Sequence, residues 1–175
     1  MGAADSVVPG SASRSIATLQ SLRLLLITFW CGTTWAVGYV AAPLLFRLLN
    51  DRMTAGSIAG AMFRIQAWLS VSVALTLLWM GLASRRRSAL RANMWRDPDS
   101  RIVLAMLLCT LIGYFALQPL MHGLRDLMSA HGSQVPDTIR SRFAMVHGVS
   151  ALFYLAHSLL GAWLVWRQAR VVGAS

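Results

Sequence analysis

Charged side chains vanish from four stretches of this chain. Residues 24–46, 65–84, 102–124 and 143–166 contain no Asp, Glu, Lys or Arg, and arginine-bearing connections separate them. Each stretch holds roughly 20 residues or more, about 30 Å as a helix, which matches the hydrocarbon thickness of a bilayer. With no water nearby, such a segment must close its backbone hydrogen bonds internally, and a helix does so. The pattern predicts an all-α protein, a four-transmembrane-helix bundle over residues 18–170. A disordered cytoplasmic tail over 1–17 and a short tail over 171–175 would flank it. The first stretch exceeds the 7–15 apolar residues of a signal peptide, so it is expected to be a retained span.

Turn residues mark the connections. Thr54 is placed to cap the second helix and Asp137 the fourth, while His131-Gly132-Ser133 through Pro136 forms the clearest turn. Pro43 and Pro119 fall near matching ends of the first and third spans, where each removes a backbone hydrogen bond. Kinks at equal depth would open a cavity at that end. No internal repeat is evident.

Composition sharpens the picture. Charged residues are only 13% of the 175, against about 25% in soluble domains. The net charge of +10 therefore does not signify nucleic-acid binding. All sixteen basic residues are Arg, a bias suited to a GC-rich bacterial genome and hence to an inner (plasma) membrane. Ten lie at one end, namely Arg14, Arg23, Arg167, Arg170 and the loop of Arg85, Arg86, Arg87, Arg91, Arg96 and Arg101. The other six are Arg47, Arg52, Arg64, Arg125, Arg140 and Arg142, so the positive-inside rule places both termini in the cytoplasm. Cys31 and Cys109 show no zinc or redox spacing and are expected as buried inert thiols.

Candidate chemistry gathers at the end away from the termini. Arg64, Gln118, His122, Arg140 and His147 form a candidate polar cluster there, with Gln66 and Arg125 expected at the same interface. His157 lies deeper, near mid-span, where an ionisable group marks function unless a Ser or Thr on a neighbouring helix satisfies it. His147 and His157 point roughly 80° apart, so they are no one-face ligand pair. Haem would need facing histidines at equal depth, which only His122 with His147 approach. Copper would draw on Met53, Met62, Met121, Met128 and Met145 beside those histidines, although thioethers also serve as filler. No resident cofactor or metal is expected. Gly38, Pro43, Phe46, Gly56 and Gly60 make a helix-packing motif, in which small residues four apart let backbones approach. That seam serves either contact inside the bundle or a dimer.

Gly32 and Gly38, then Ala41-Ala42-Pro43-Leu44-Leu45-Phe46, Ala55-Gly56 and Gly60-x-x-Phe63 carry a resemblance. With Arg140-x-x-Phe143-x-x-x-His147-x-x-Ser150, they resemble the transmembrane protein 205-like family, also catalogued as domain of unknown function 4149. The resemblance spans about residues 22–167 and implies a four-span membrane protein with no established activity. A more distant similarity to bacterial copper-resistance membrane proteins lacks a full metal motif. Three functions stand as alternatives. The first is a non-enzymatic bundle acting through packing with itself or a membrane-protein partner, with the lipid bilayer as its constant neighbour. The second is a small-solute or metal-ion transport or resistance component, and the third a haem or copper redox protein. No acidic residue lies within the four stretches, which weighs against hydrolysis and proton coupling.

Reporter fusions test the topology directly. Fusions at either terminus should report the cytoplasm, and insertions at Asn50 and Gly132 the opposite side; an odd number of crossings would overturn the four-span assignment.

Overall fold

Hydrocarbon leaves a backbone N–H no partner except a carbonyl of its own helix. The computed structural model describes residues 11–87, 97–132 and 134–173, and 94% of these are helical, with no strand among them. The first rod comprises α1 (Ser11–Trp35), a π-helical segment Ala36–Ala41 and α2 (Ala42–Leu48). The second rod is α3 (Arg52–Arg87) alone. The third repeats the first, with α4 (Pro98–Leu111), a π-helical segment Ile112–Leu117 and α5 (Gln118–Ala130). The fourth is α6 (Asp137–Gly173). All four are long and apolar enough to cross a membrane, over Thr18–Leu48, Arg52–Ser84, Pro98–Ala130 and Asp137–Val171. Their outer faces carry Leu25, Trp79 and Leu152, each about two-thirds exposed or more, as lipid contact requires.

Neighbouring rods pack in sequence order, and the fourth closes the ring on the first through α1 and α6. At the end bearing the termini the ring is filled. Ile27, Trp30, Val103, Met106 and Leu164 are 1% exposed or less and form the middle of the core. Gly161 lets α6 approach α1 there, since a Cβ at that position would sit 2.7 Å from Cys31 Sγ. Below the core Asp99 ties α4 to α6, accepting from Arg167 Nε at 2.9 Å and from Gln168 Nε2. Arg170 lies over the Trp166 ring at 4.0 Å, an amphipathic pair suited to the membrane interface.

Helix ends depart from the sequence expectations in three places. α1 begins at Ser11, so residues 11–17 continue the first helix where a tail was expected, and residues 1–10 and 174–175 lie outside the described residues. Asp51, not Thr54, caps α3: its carboxylate accepts from the Met53 and Thr54 N–H groups and from the Thr54 hydroxyl. A carboxylate satisfies several end donors at once, which a hydroxyl does not. Those bonds, the Thr54 hydroxyl first, hold the Asp51 carboxyl below its usual range. Asp137 lies in the first turn of α6, and the Pro136 carbonyl accepts from Ile139 and Arg140 as the true cap position. Asp97 caps α4 through Ser100. Gly132 takes φ +55°, the left-handed turn that glycine adopts without strain. Of the arginine-rich loop, Arg91 and Arg96 lie outside the described residues, as does Ser133.

Gly161→Ala should destabilise the purified protein despite the roughly 1 kcal/mol by which alanine favours a helix, because overpacking costs about 1–3 kcal/mol. Gly148→Ala, where a Cβ meets nothing within 4 Å, should be neutral or stabilising. Thermal unfolding in detergent compares the two, and equal behaviour would refute the close approach at Gly161.

Candidate functional site

Proline sets the level at which the bundle opens. Pro43 and Pro119 are each the second residue of the α-helix that follows a π segment. An α-helical proline loses its own N–H bond and crowds the carbonyl four residues back. One extra residue in the preceding turn relieves that crowding: the Ala42 N–H reaches Val37 and the Gln118 N–H reaches Gly113, both five residues back. The first and third rods thus widen at corresponding places, each with a Gly-Tyr pair in the wide turn, Gly38-Tyr39 and Gly113-Tyr114. The Cys31…Gly38-Tyr39…Pro43 and Cys109…Gly113-Tyr114…Pro119 spacings agree to within a few residues, a correspondence that hydropathy alone does not display.

Between the widened rods lies a cavity of about 550 Å³. Its deep end is a polar network spanning the first two rods. Trp30 Nε1 donates to Ser70 Oγ at 2.8 Å, and Gln66 Nε2 donates to Thr34 Oγ1 at 2.8 Å. Thr34 Oγ1 in turn donates to the Trp30 carbonyl. Gln66 is 6% exposed. Sequence placed it among the outer polar groups; in the fold it lies fourteen residues into α3, about 21 Å along the helix, and lines the cavity.

The fourth rod supplies the opposite wall. The Tyr154 hydroxyl donates to the Thr34 carbonyl at 2.5 Å, beside the turn that the π segment loosens, and Tyr39 donates to Ser158 at 3.0 Å. Phe63 and Tyr39 meet the Tyr154 ring edge-on, at 5.5 and 6.0 Å. Gly38 makes room for that ring, which any Cβ there would overlap. His157 is 6% exposed, with Nδ1 3.1 Å from the Met106 carbonyl and 3.4 Å from Thr110 Oγ1. A carbonyl accepts only, so the neutral ring carries its proton on Nδ1, leaving Nε2 a buried acceptor without a partner among the described residues. Trp30 packs edge-on against the same ring at 5.4 Å.

The sequence-derived candidates divide. Gln118, His147 and His157 line the cavity with Arg125. Arg64, His122 and Arg140 do not line it: all three are exposed, and Arg140 makes a 3.8 Å surface ion pair with Asp137. His147 stacks on Phe143 at 6.1 Å. Within the packing motif, Gly38 faces Tyr154, Gly56 and Gly60 face Arg125, and Pro43 and Phe46 line the cavity. Met121 is the one methionine of the copper candidates on the lining, and Met53 and Met145 are exposed. No three of His, Cys, Asp or Glu come together among the described residues. Cys31 is buried in the core and Cys109 lines the cavity, both as free thiols. Sequence reasoning missed Trp30 and Tyr39; for Tyr39 the repeated Gly-Tyr before each proline was the available signal.

The family model described as "Domain of unknown function (DUF4149)" matches residues 25–130, which contain most of the first rod, all of the second and third, and both π segments. Neither a curated protein nor a solved structure matches the chain.

Gly38→Ala should displace Tyr154 and lower stability by about 1–3 kcal/mol, while Tyr154→Leu alone should cost about 1 kcal/mol for the lost hydrogen bond. The double variant should recover part of the Gly38→Ala loss, because the overlapping ring is gone. Additive losses in detergent unfolding would disprove the contact.

Proposed function

The chain belongs to the DUF4149 family, whose description assigns no activity, and we propose that it is a non-enzymatic membrane protein that binds a small amphipathic solute in the open half of its bundle. The observation that carries this is the cavity of about 550 Å³ above a filled core, a size usual for small-molecule sites. Its walls are mostly apolar, from residues such as Phe46, Phe63 and Met121, with a few polar groups at either end. That distribution suits a molecule with an apolar body and a polar head. No carboxylate lines the cavity among the described residues.

The small-residue seam favours this over self-association. Gly38, Gly56 and Gly60 are each covered by a side chain of the same molecule, so that seam is not free to hold a second copy. A partner helix would have to use the lipid-facing surface of Leu25, Trp79 and Leu152. Membership of the transmembrane protein 205-like branch, location in a bacterial inner membrane and cytoplasmic termini belong to the same proposal. Their support is the motif containing Pro43 and Phe46, which lies on the cavity wall, and the arginine asymmetry of ten to six. In that orientation the filled end faces the cytoplasm and the cavity lies towards the outer side.

Gly113→Phe tests the site, because Gly113 lines the cavity and its added Cβ would meet nothing within 4 Å. Native mass spectrometry of detergent-purified protein titrated with 1-decanol should show saturable one-to-one binding. The variant should weaken it at least tenfold with little change in thermal stability. Non-saturable uptake by the wild type, or unchanged binding by the variant, would exclude the cavity as a ligand site.

A further inference from the structure

Most charged groups described in this bundle have a place outside the cavity. Asp51 and Asp97 cap helices, Asp99 holds Arg167, and Arg140 meets Asp137 on the surface. Arg125 differs. It lies on α5 inside the third span, is half-buried, lines the cavity and has no ion pair among the described residues.

Its position is built. Nη1 donates to the Gly56 carbonyl at 2.9 Å, which draws the guanidinium against α3 rather than along its own helix towards water. The absence of side chains at Gly56 and Gly60 makes the bed. A Cβ at Gly56 would sit 3.3 Å from Arg125 Cζ, and one at Gly60 3.6 Å from Nη1. Two glycines one turn apart thus leave a flat strip of helix backbone on which the planar group rests. A guanidinium has five N–H donors in a fork that fits two oxygens of one anion. One donor is assigned to Gly56, and the cavity lies on the side where Gln118 and His147 also project. A half-buried cation with no ion pair among the described residues is costly, and an anion brought to it offsets that cost.

We propose that Arg125, seated on Gly56 and Gly60, is the anion-binding group of the cavity, and that the ligand is an anionic amphiphile. Its carboxylate or phosphate would pair with the guanidinium while its apolar body lies against Phe46, Phe63 and Met121. This rests on the solute-binding reading above and adds the charge and position of the head group. A bare inorganic ion would leave most of the 550 Å³ and its apolar walls unused. The chemistry is common to a free single-chain amphiphile and to the head group of an anionic lipid.

Four probes separate these at neutral pH: decanoate, decyl phosphate, dioleoyl phosphatidate in nanodiscs, and neutral 1-decanol. The wild type should bind at least one anionic probe tenfold or more tighter than 1-decanol. Arg125→Gln should abolish that preference while leaving 1-decanol binding in place, and Arg125→Lys should retain part of it. Gly56→Val displaces the guanidinium without removing its charge and should also lose the preference, which covers the case in which Arg125→Gln fails to fold. Arg140→Gln, outside the cavity, should bind as the wild type does. Preference for the single-chain probes identifies a free amphiphile, and an Arg125-dependent preference for phosphatidate alone identifies a lipid head group; either supports the assignment. Equal binding of decanol and all three anions by the wild type would overturn it while sparing the cavity. A preference that survives in both Arg125→Gln and Gly56→Val would place the anion elsewhere. Failure of every probe, decanol included, would remove the solute-binding reading itself.

Discussion

Inside a bilayer the backbone has no solvent to fall back on, and each amide must find its carbonyl within the helix. Proline breaks that rule because its amide nitrogen carries no hydrogen to donate. In this chain the two span prolines are accommodated by a wide turn directly ahead of them, Ala36–Ala41 before Pro43 and Ile112–Leu117 before Pro119. Everything distinctive about the bundle gathers around those turns. They loosen the first and third rods at corresponding levels, they carry Gly38 and Gly113 on the cavity lining, and they bring the Thr34 carbonyl to the Tyr154 hydroxyl.

The two ends of the bundle solve different problems. Towards the termini, Ile27, Trp30, Met106 and Leu164 fill the ring completely, and Asp99 joins α4 to α6 beneath them. Among the described residues that end combines apolar packing with the Asp99 carboxylate held by Arg167 and Gln168. Above Trp30 the composition of the interior changes. Hydroxyls, an amide and an imidazole replace aliphatic groups: Trp30, Ser70, Gln66 and Thr34 bond to one another and His157 Nδ1 to the Met106 carbonyl, while His157 Nε2 is buried without a partner among the described residues. Polar groups at such depth rigidify their neighbourhood when satisfied. The Trp30–Ser70–Gln66–Thr34 network forms the floor of the space above it.

Arginine shows how placement outweighs count. Sixteen arginines give the chain its charge, and the sequence pattern treats those at the far end alike. In the folded bundle Arg64 and Arg140 are exposed, where a long side chain reaches the interface easily. Among the described residues Arg125 alone brings a fixed charge to the cavity lining, where glycines on a different helix receive it.

Segment-level properties were legible from the residues alone: four apolar runs, their lengths, the all-helical class, and the matching depth of Pro43 and Pro119. Each of these depends only on local composition. Helix ends were less so, because Asp51 and Thr54 both qualify as caps and only geometry distinguishes them. Which face of each helix turns inward was out of reach. A soluble helix announces its buried side by an apolar stripe, but a helix in lipid is apolar all round and carries no such stripe. Gln66 was therefore not recognised as part of the cavity floor, and Arg125 stood undistinguished among its neighbours. Tertiary packing made those decisions, through contacts between residues as far apart as Gly56 and Arg125, or Thr34 and Tyr154, that no single segment contains.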